Sequence, residues 1–153
     1  MFCGLHGDTF NCPAEVAETR YGVIVEQQSL NITDTGAGKF RGGFGVTIDY
    51  RIKNDNNFLT CAYTRAKVPP WSLKGGDNGG FNGIDVIKKA GQTERYAFAT
   101  GLTLDEGDIV RVKTASGAGY GDPILRDRLS LTDDMKNGYV SKEYAMKVYG
   151  YSD

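Results

Sequence analysis

Histidine is almost missing from this 153-residue chain, which has only His6. One imidazole rules out a histidine pair on a helix for metal-assisted hydrolysis. With no G-x-S-x-G stretch to present a nucleophile, it does not build a Ser-His arrangement either. Cysteine is scarce: Cys3, Cys12 and Cys61 are too few and too scattered for a disulfide framework. Charge of one sign is missing as well. Lys and Arg total 18 against 19 Asp and Glu, interspersed along the chain, so the clustered basic surface that nucleic acid requires is not present. No apolar run approaches the length of a membrane span. The start, Met-Phe-Cys-Gly-Leu-His, has neither the basic residues nor the apolar stretch of a signal peptide. A cytoplasmic protein with no nucleic-acid or membrane partner is the expectation.

Glycine is what the chain has in excess, 21 residues, roughly twice the usual share. Without a collagen period, that density means many turns and close backbone approaches, so the informative features are loops. The length suits one hydrophobic core and a single domain over 1–153. Pro13–Arg20 reads as a short helix with proline in its first turn. Strands are expected at 21–26, at Val46–Ile52 (alternating, with Val46, Ile48, Tyr50 and Ile52 on one face) and at Leu59–Thr64, the last two paired as a hairpin about Asn54–Asn57. Further short strands are expected at Ile84–Lys88, Arg95–Ala99 and Ile109–Thr114, with a turn at 104–108. The long loop 68–83, V-P-P-W-S-L-K-G-G-D-N-G-G-F-N-G, is of the kind that is functional or covered by a partner. Near the end the pattern turns helical. Ser130 is placed to cap one helix that stops at Gly138, and Ser141 a second with Glu143 in its first turn and Gly150 past its end. Leu131 with Met135, and Tyr144 with Val148, form i, i+4 apolar pairs. The fold class is mainly β (α+β): a glycine-rich antiparallel β core followed by two short C-terminal helices.

Three constellations bear on chemistry. Gly38, Lys39, Arg41, Gly42 and Gly43, within G-A-G-K-F-R-G-G-F-G, suit a nest of backbone N–H groups with two cationic arms for a phosphate or carboxylate. They suit equally a tight turn in which Arg41 pairs with an acidic neighbour. This stretch is not a P-loop, because Gly36-Ala37-Gly38-Lys39 lacks both the spacing and the following Ser or Thr. Cys3, His6, Cys12 and Cys61 are the chain's only Cys and His residues, and four ligands make a closed zinc site; the alternative is buried thiols and a surface histidine. Trp71, on the stiff Pro69-Pro70 turn, either presses on a partner or closes a site, or is an ordinary core tryptophan.

Taken in order, F-N-C-P-A-E-V-A-E-T-R-Y (10–21), G-A-G-K-F-R-G-G-F-G (36–45), P-P-W-S-L-K-G-G (69–76), L-D-E-G-D (104–108), G-A-G-Y-G-D-P (117–123), N-G-Y-V-S (137–141) and A-M-K-V-Y-G (145–150) resemble the C-terminal segment of the hydantoinase B / acetone carboxylase / 5-oxoprolinase family. Members of that family run to several hundred residues, so the resemblance implies either a fragment or a large subunit split into separate chains, as in acetophenone-carboxylase-type complexes. It implies ATP-dependent activation of a carbonyl, lactam or carboxylate. ATP and Mg would lie on a hydantoinase-A-like partner, and the remaining hydantoinase-B-like large subunit would be a second partner. Gly117–Pro123 is similar to the family's closing loop. Tyr120 there is a candidate interface residue beside Trp71, while Asp122 most simply makes a turn. Three functions compete: a small subunit of an ATP-dependent ketone carboxylase or of a hydantoinase/oxoprolinase-type amidohydrolase, framing an active site owned mainly by other chains; a zinc-stabilised structural module; and a free-standing anion-binding domain.

Overall fold

A computed structural model describes residues 12–152. The chain divides into two compact units. The first comprises the chain up to Ser29, Val46–Thr64 and Gly83–Lys113; the second comprises Leu30–Gly45, Arg65–Asn82 and the chain from Thr114 on. It is a mainly β, α+β fold. In order, the elements are α1 (Ala14–Arg20), β1 (Val23–Asn31), β2 (Gly45–Ile52), β3 (Asn57–Ala62), β4 (Gly83–Ile87), β5 (Thr93–Tyr96), β6 (Phe98–Leu104), β7 (Ile109–Lys113), a 3₁₀ turn (Pro123–Leu125), α2 (Arg128–Lys136) and α3 (Lys142–Tyr149).

The first unit is two sheets around one core. The larger has strand order β1-β2-β7-β4-β5 and the smaller is the pair β3-β6. Alternation places Ile52, Ile84, Val86 and Val110 on the inner face, where they meet Cys61, Ala99 and Leu104 of the second sheet. One rung of the larger sheet carries alternating charge: Asp49 of β2 sits opposite Arg111 of β7, Arg111 opposite Asp85 of β4, and Asp85 opposite Arg95 of β5. Arg111 grips the buried Asp49 with two hydrogen bonds, at 2.8 and 2.7 Å, and opposite charges in cross-strand positions favour this register over its neighbours.

Two expectations fail here for one reason. The hairpin joining the strand at 46–52 to that at 59–64 does not form: β2 lies between β1 and β7, and β3 pairs with β6. The turn between them, with Asn56 in the left-handed region at φ 61°, carries the chain from one layer to the other. The expected strand at 95–99 is two strands. Tyr96 pairs with Ile84 in the first sheet and Phe98 with Ala62 in the second, and between them the Ala97 carbonyl accepts a hydrogen bond from Tyr63 N–H at 2.8 Å. In both places the apolar residues on either side face the same core from opposite layers, which alternation along the sequence does not distinguish from one continuous layer.

The second unit buries Leu131, Val140, Ala145 and Tyr149 together with Ala37. α2 is capped by the side chain of Asp127, which accepts from Ser130 N–H, so the cap falls three residues before the expected Ser130. α3 is built as its sequence predicts: the Ser141 hydroxyl caps Tyr144 N–H, and Gly150 closes the helix in the left-handed conformation at φ 58°. Its buried i, i+4 pair is Ala145 with Tyr149, while Tyr144 is exposed. No helix among the described residues is long and apolar enough to cross a membrane.

The turn after β6 depends on Asp108, a buried carboxylate. It accepts from Lys88 Nζ at 2.7 Å and from the backbone N–H groups of Lys89 and Asp105 at 3.1 and 3.0 Å. Burial pushes its pKa up, but the hydrogen bonds from Lys88 and the two amides outweigh that and hold it below the ordinary 3.8. A lowered folded-state pKa stabilises the fold fully above the ordinary value, and that stabilisation is lost as the pH falls through the folded one. Asp108→Ala therefore costs about 2–4 kcal/mol at neutral pH by urea unfolding. The difference from wild type shrinks on acidification below about pH 4.

Candidate functional site

The second unit's loops meet main chain to main chain. Gly36 and Phe40 N–H donate to the carbonyls of Gly117 and Tyr120, at 3.0 Å each. Lys39 N–H donates to Gly121 O at 3.1 Å, and Gly117 and Tyr120 N–H return bonds to Gly43 and Phe40 O at 2.8 and 2.9 Å. The loop after Trp71 joins the same assembly, with Asp77 N–H on Ala37 O at 2.7 Å and Gly119 N–H on Asp77 O at 2.9 Å. Glycine makes this possible. A Cβ on Gly42 would stand 1.9 Å from Gly117 O, and one on Gly119 1.9 Å from Ala37 O, so any side chain there would drive the loops apart.

These bonds dispose of the N–H groups that a nest would need. Gly36, Lys39, Phe40 and Gly42 all donate within the chain, and Gly38 and Gly42 are buried. Lys39 and Gly43 are exposed, and Lys39 Nζ lies 5.6 Å from the centre of the Phe40 ring. Arg41 takes the other reading open to it, pairing with an acidic neighbour. Its Nε and Nη2 donate to the two carboxylate oxygens of Asp134, each at 3.1 Å, and its Nη1 to Gly42 O at 3.0 Å. Its guanidinium also stacks over Phe44, 4.0 Å from the ring centre. Arg126 donates to the same Asp134 at 2.6 Å. Two guanidiniums thus share one buried carboxylate. Neither Asp134 nor Arg126 carries a local sequence signal, since Asp134 lies 93 residues from Arg41.

The aromatic candidates lie on the outside. Phe40 and Tyr120 face each other as a bridge pair, Leu73 pairs with Tyr120 on its other side, and all three are about half exposed or more. Trp71 is 60% exposed and so is not a core residue. The Arg65 guanidinium lies 4.6 Å from its ring centre, in a residue held at the unfavourable φ of 59°. The candidate metal ligands are not gathered among the described residues. Cys61 is buried in the apolar core of the first unit, Cys12 is exposed, and Cys3 and His6 lie outside the described residues. Among those residues no group of three or more His, Cys, Asp or Glu is placed to hold a metal ion.

The arrangement is thus a β-rich segment whose rigid part is a main-chain zipper bearing an exposed aromatic row, a class of structure that supports a site built elsewhere. Residues 3–123 match the family described as hydantoinase B/oxoprolinase, and the chain belongs to that family. An uncharacterized protein of Methanocaldococcus jannaschii is 34% identical over 139 residues, 91% of this chain and 24% of that protein. Caprolactamase subunit beta of Pseudomonas jessenii is 30% identical over 146 residues, 89% of this chain and 24% of its own length. The crystal structure of ATP-dependent caprolactamase from that organism superposes with a TM-score of 0.69 at 28% identity, over 92% of this chain and 25% of the other. Nucleotide-free acetone carboxylase gives 0.70 at 20% identity, over 94% and 23%, a likeness of fold. The chain spans about a quarter of the length of the curated relatives it matches.

Gly42→Ala is expected to destabilise the chain by about 3 kcal/mol or more, because the new methyl meets a carbonyl that is itself hydrogen-bonded in the zipper. Gly43 has nothing within 4 Å of its would-be Cβ, so Gly43→Ala should be neutral or stabilising by up to about 1 kcal/mol. Thermal or urea unfolding of the two neighbours separates close approach from mere turn-forming.

Proposed function

We propose that this chain is a non-autonomous portion of an ATP-dependent enzyme that opens cyclic amides, and that it frames an active site owned mainly by larger chains. The observation that carries the proposal is the row Phe40, Tyr120 and Leu73, fixed on the zipper yet open to solvent. An aromatic row on a rigid support costs little entropy to bury and suits the centre of an interface. Its occupant is the remaining hydantoinase-B-like large subunit, with Trp71 and Tyr120 in the contact. ATP and Mg are handled by a hydantoinase-A-like subunit, in keeping with the commitment of this chain's own loop amides to each other. Lys39, exposed beside the row, is the cation the chain offers to an activated, phosphorylated intermediate.

Cyclic-amide chemistry is favoured over ketone carboxylation by the pattern of likeness. The caprolactamase subunit is similar at 28–30% over about nine-tenths of this chain, whereas the acetone carboxylase structure, at 20%, speaks for the fold alone. The test is co-expression with the A-like and remaining B-like chains, followed by assay of ATP hydrolysis with caprolactam, hydantoin or 5-oxoproline, and with acetophenone plus bicarbonate. A cyclic amide should stimulate ATP turnover only when this chain is present. Turnover unaffected by its omission, or stimulated by the ketone alone, overturns the proposal. Tyr120→Asp and Phe40→Asp should abolish co-purification while changing the unfolding free energy by no more than about 0.5 kcal/mol, the usual range for exposed positions.

A further inference from the structure

We propose that the second unit contains a binding pocket for a small carboxylate with a flat, apolar body. A cavity of about 300 Å³ lies there, walled by Phe44, Tyr139, Tyr144 and Tyr149, with Thr35 and Arg41 among its lining residues. That volume is at the small end of ligand sites, and aromatic walls favour a ring over a flexible polar chain.

The polar groups at this cavity are donors. The Thr35 hydroxyl is buried and has no partner in the protein, an exception among buried polar atoms that points to a partner from outside the chain. Arg41 commits Nε, Nη2 and Nη1 to one bond each, and these are three of a guanidinium's five N–H groups. Burial pushes the hydroxyls of Tyr144 and Tyr149 above their ordinary range, so they stay protonated and act as donors at neutral pH. The charge balance has the same sign. Arg41 and Arg126 share Asp134, which leaves one positive charge over, and the buried Arg126 Nε lacks an acceptor. The other carboxylates felt nearby are Asp77, which acts on Tyr144, and Asp127, which feels Arg126 and caps α2. Both are exposed and screened by solvent. An anion with a planar carboxylate answers the surplus charge and the orphaned hydroxyl together. This pocket is independent of the aromatic row, and the inference holds whichever reaction the assembled enzyme performs.

Titration of the full chain with sodium benzoate, followed by amide chemical shifts, tests it. Benzamide serves as the neutral counterpart of the same shape. Benzoate should bind saturably with shifts centred on Thr35, Phe44 and Tyr139, and benzamide at least about tenfold more weakly, the loss expected when a charge-assisted bond becomes a neutral one. Thr35→Val removes a hydroxyl that has no bond to lose in the free protein. The variant should therefore melt at or above the wild-type temperature while binding benzoate about tenfold less tightly. A residue with a merely structural role would not separate those two readouts. Absence of saturable binding, equal binding of benzamide, or wild-type affinity in Thr35→Val overturns the proposal.

Discussion

The second unit depends on how closely three stretches of main chain approach. Where Gly42 faces Gly117, and Gly119 faces Ala37, there is no room for a carbon atom, and the distance gained lets amides and carbonyls of different loops satisfy one another. A buried loop ordinarily fails because its polar backbone is left without partners. Here the loops act as partners to each other, as strands do, without the regular spacing of a sheet. What glycine costs in unfolded-state entropy is offset by this mutual satisfaction and by Ala37, which the loop delivers into the apolar cluster around Leu131 and Tyr149.

A second tie fastens the zipper to the helices. Asp134 faces inward from α2 and takes Arg41 from the first glycine loop and Arg126 from the end of the 3₁₀ turn. Burying a carboxylate is expensive unless it is both paired and hydrogen-bonded, and Asp134 is both. The arrangement joins three segments far apart in sequence at one point. It also converts Arg41 from a free cation into a bracket, which is why a loop that looks like an anion nest holds no nest.

Much of this was legible in the residues because it is local. Ser141 and Gly150 bound a helix through contacts within a turn of themselves, and Pro13 opens one. The seven ordered motifs carry the family membership over nearly the whole chain. What stayed hidden is non-local. Nothing around Asp134 distinguishes it from Asp133, which is exposed, because the distinction is made by two arginines elsewhere. Likewise the strand pattern through Tyr96, Ala97 and Phe98 reads as continuous, since the change of sheet is set by Tyr63 and Ile84 across the core. Glycine abundance announces close backbone approaches but does not say which loops approach which.

Because the loops are tied through their main chain, the side chains standing between the glycines are not what holds them. Lys39, Phe40, Leu73 and Tyr120 project from a frame that is indifferent to their identity. Such a frame works like a typesetter's forme: the letters can be exchanged while the lock-up holds. A lineage could thus revise what this surface touches, one residue at a time, with the glycines alone keeping the page in register.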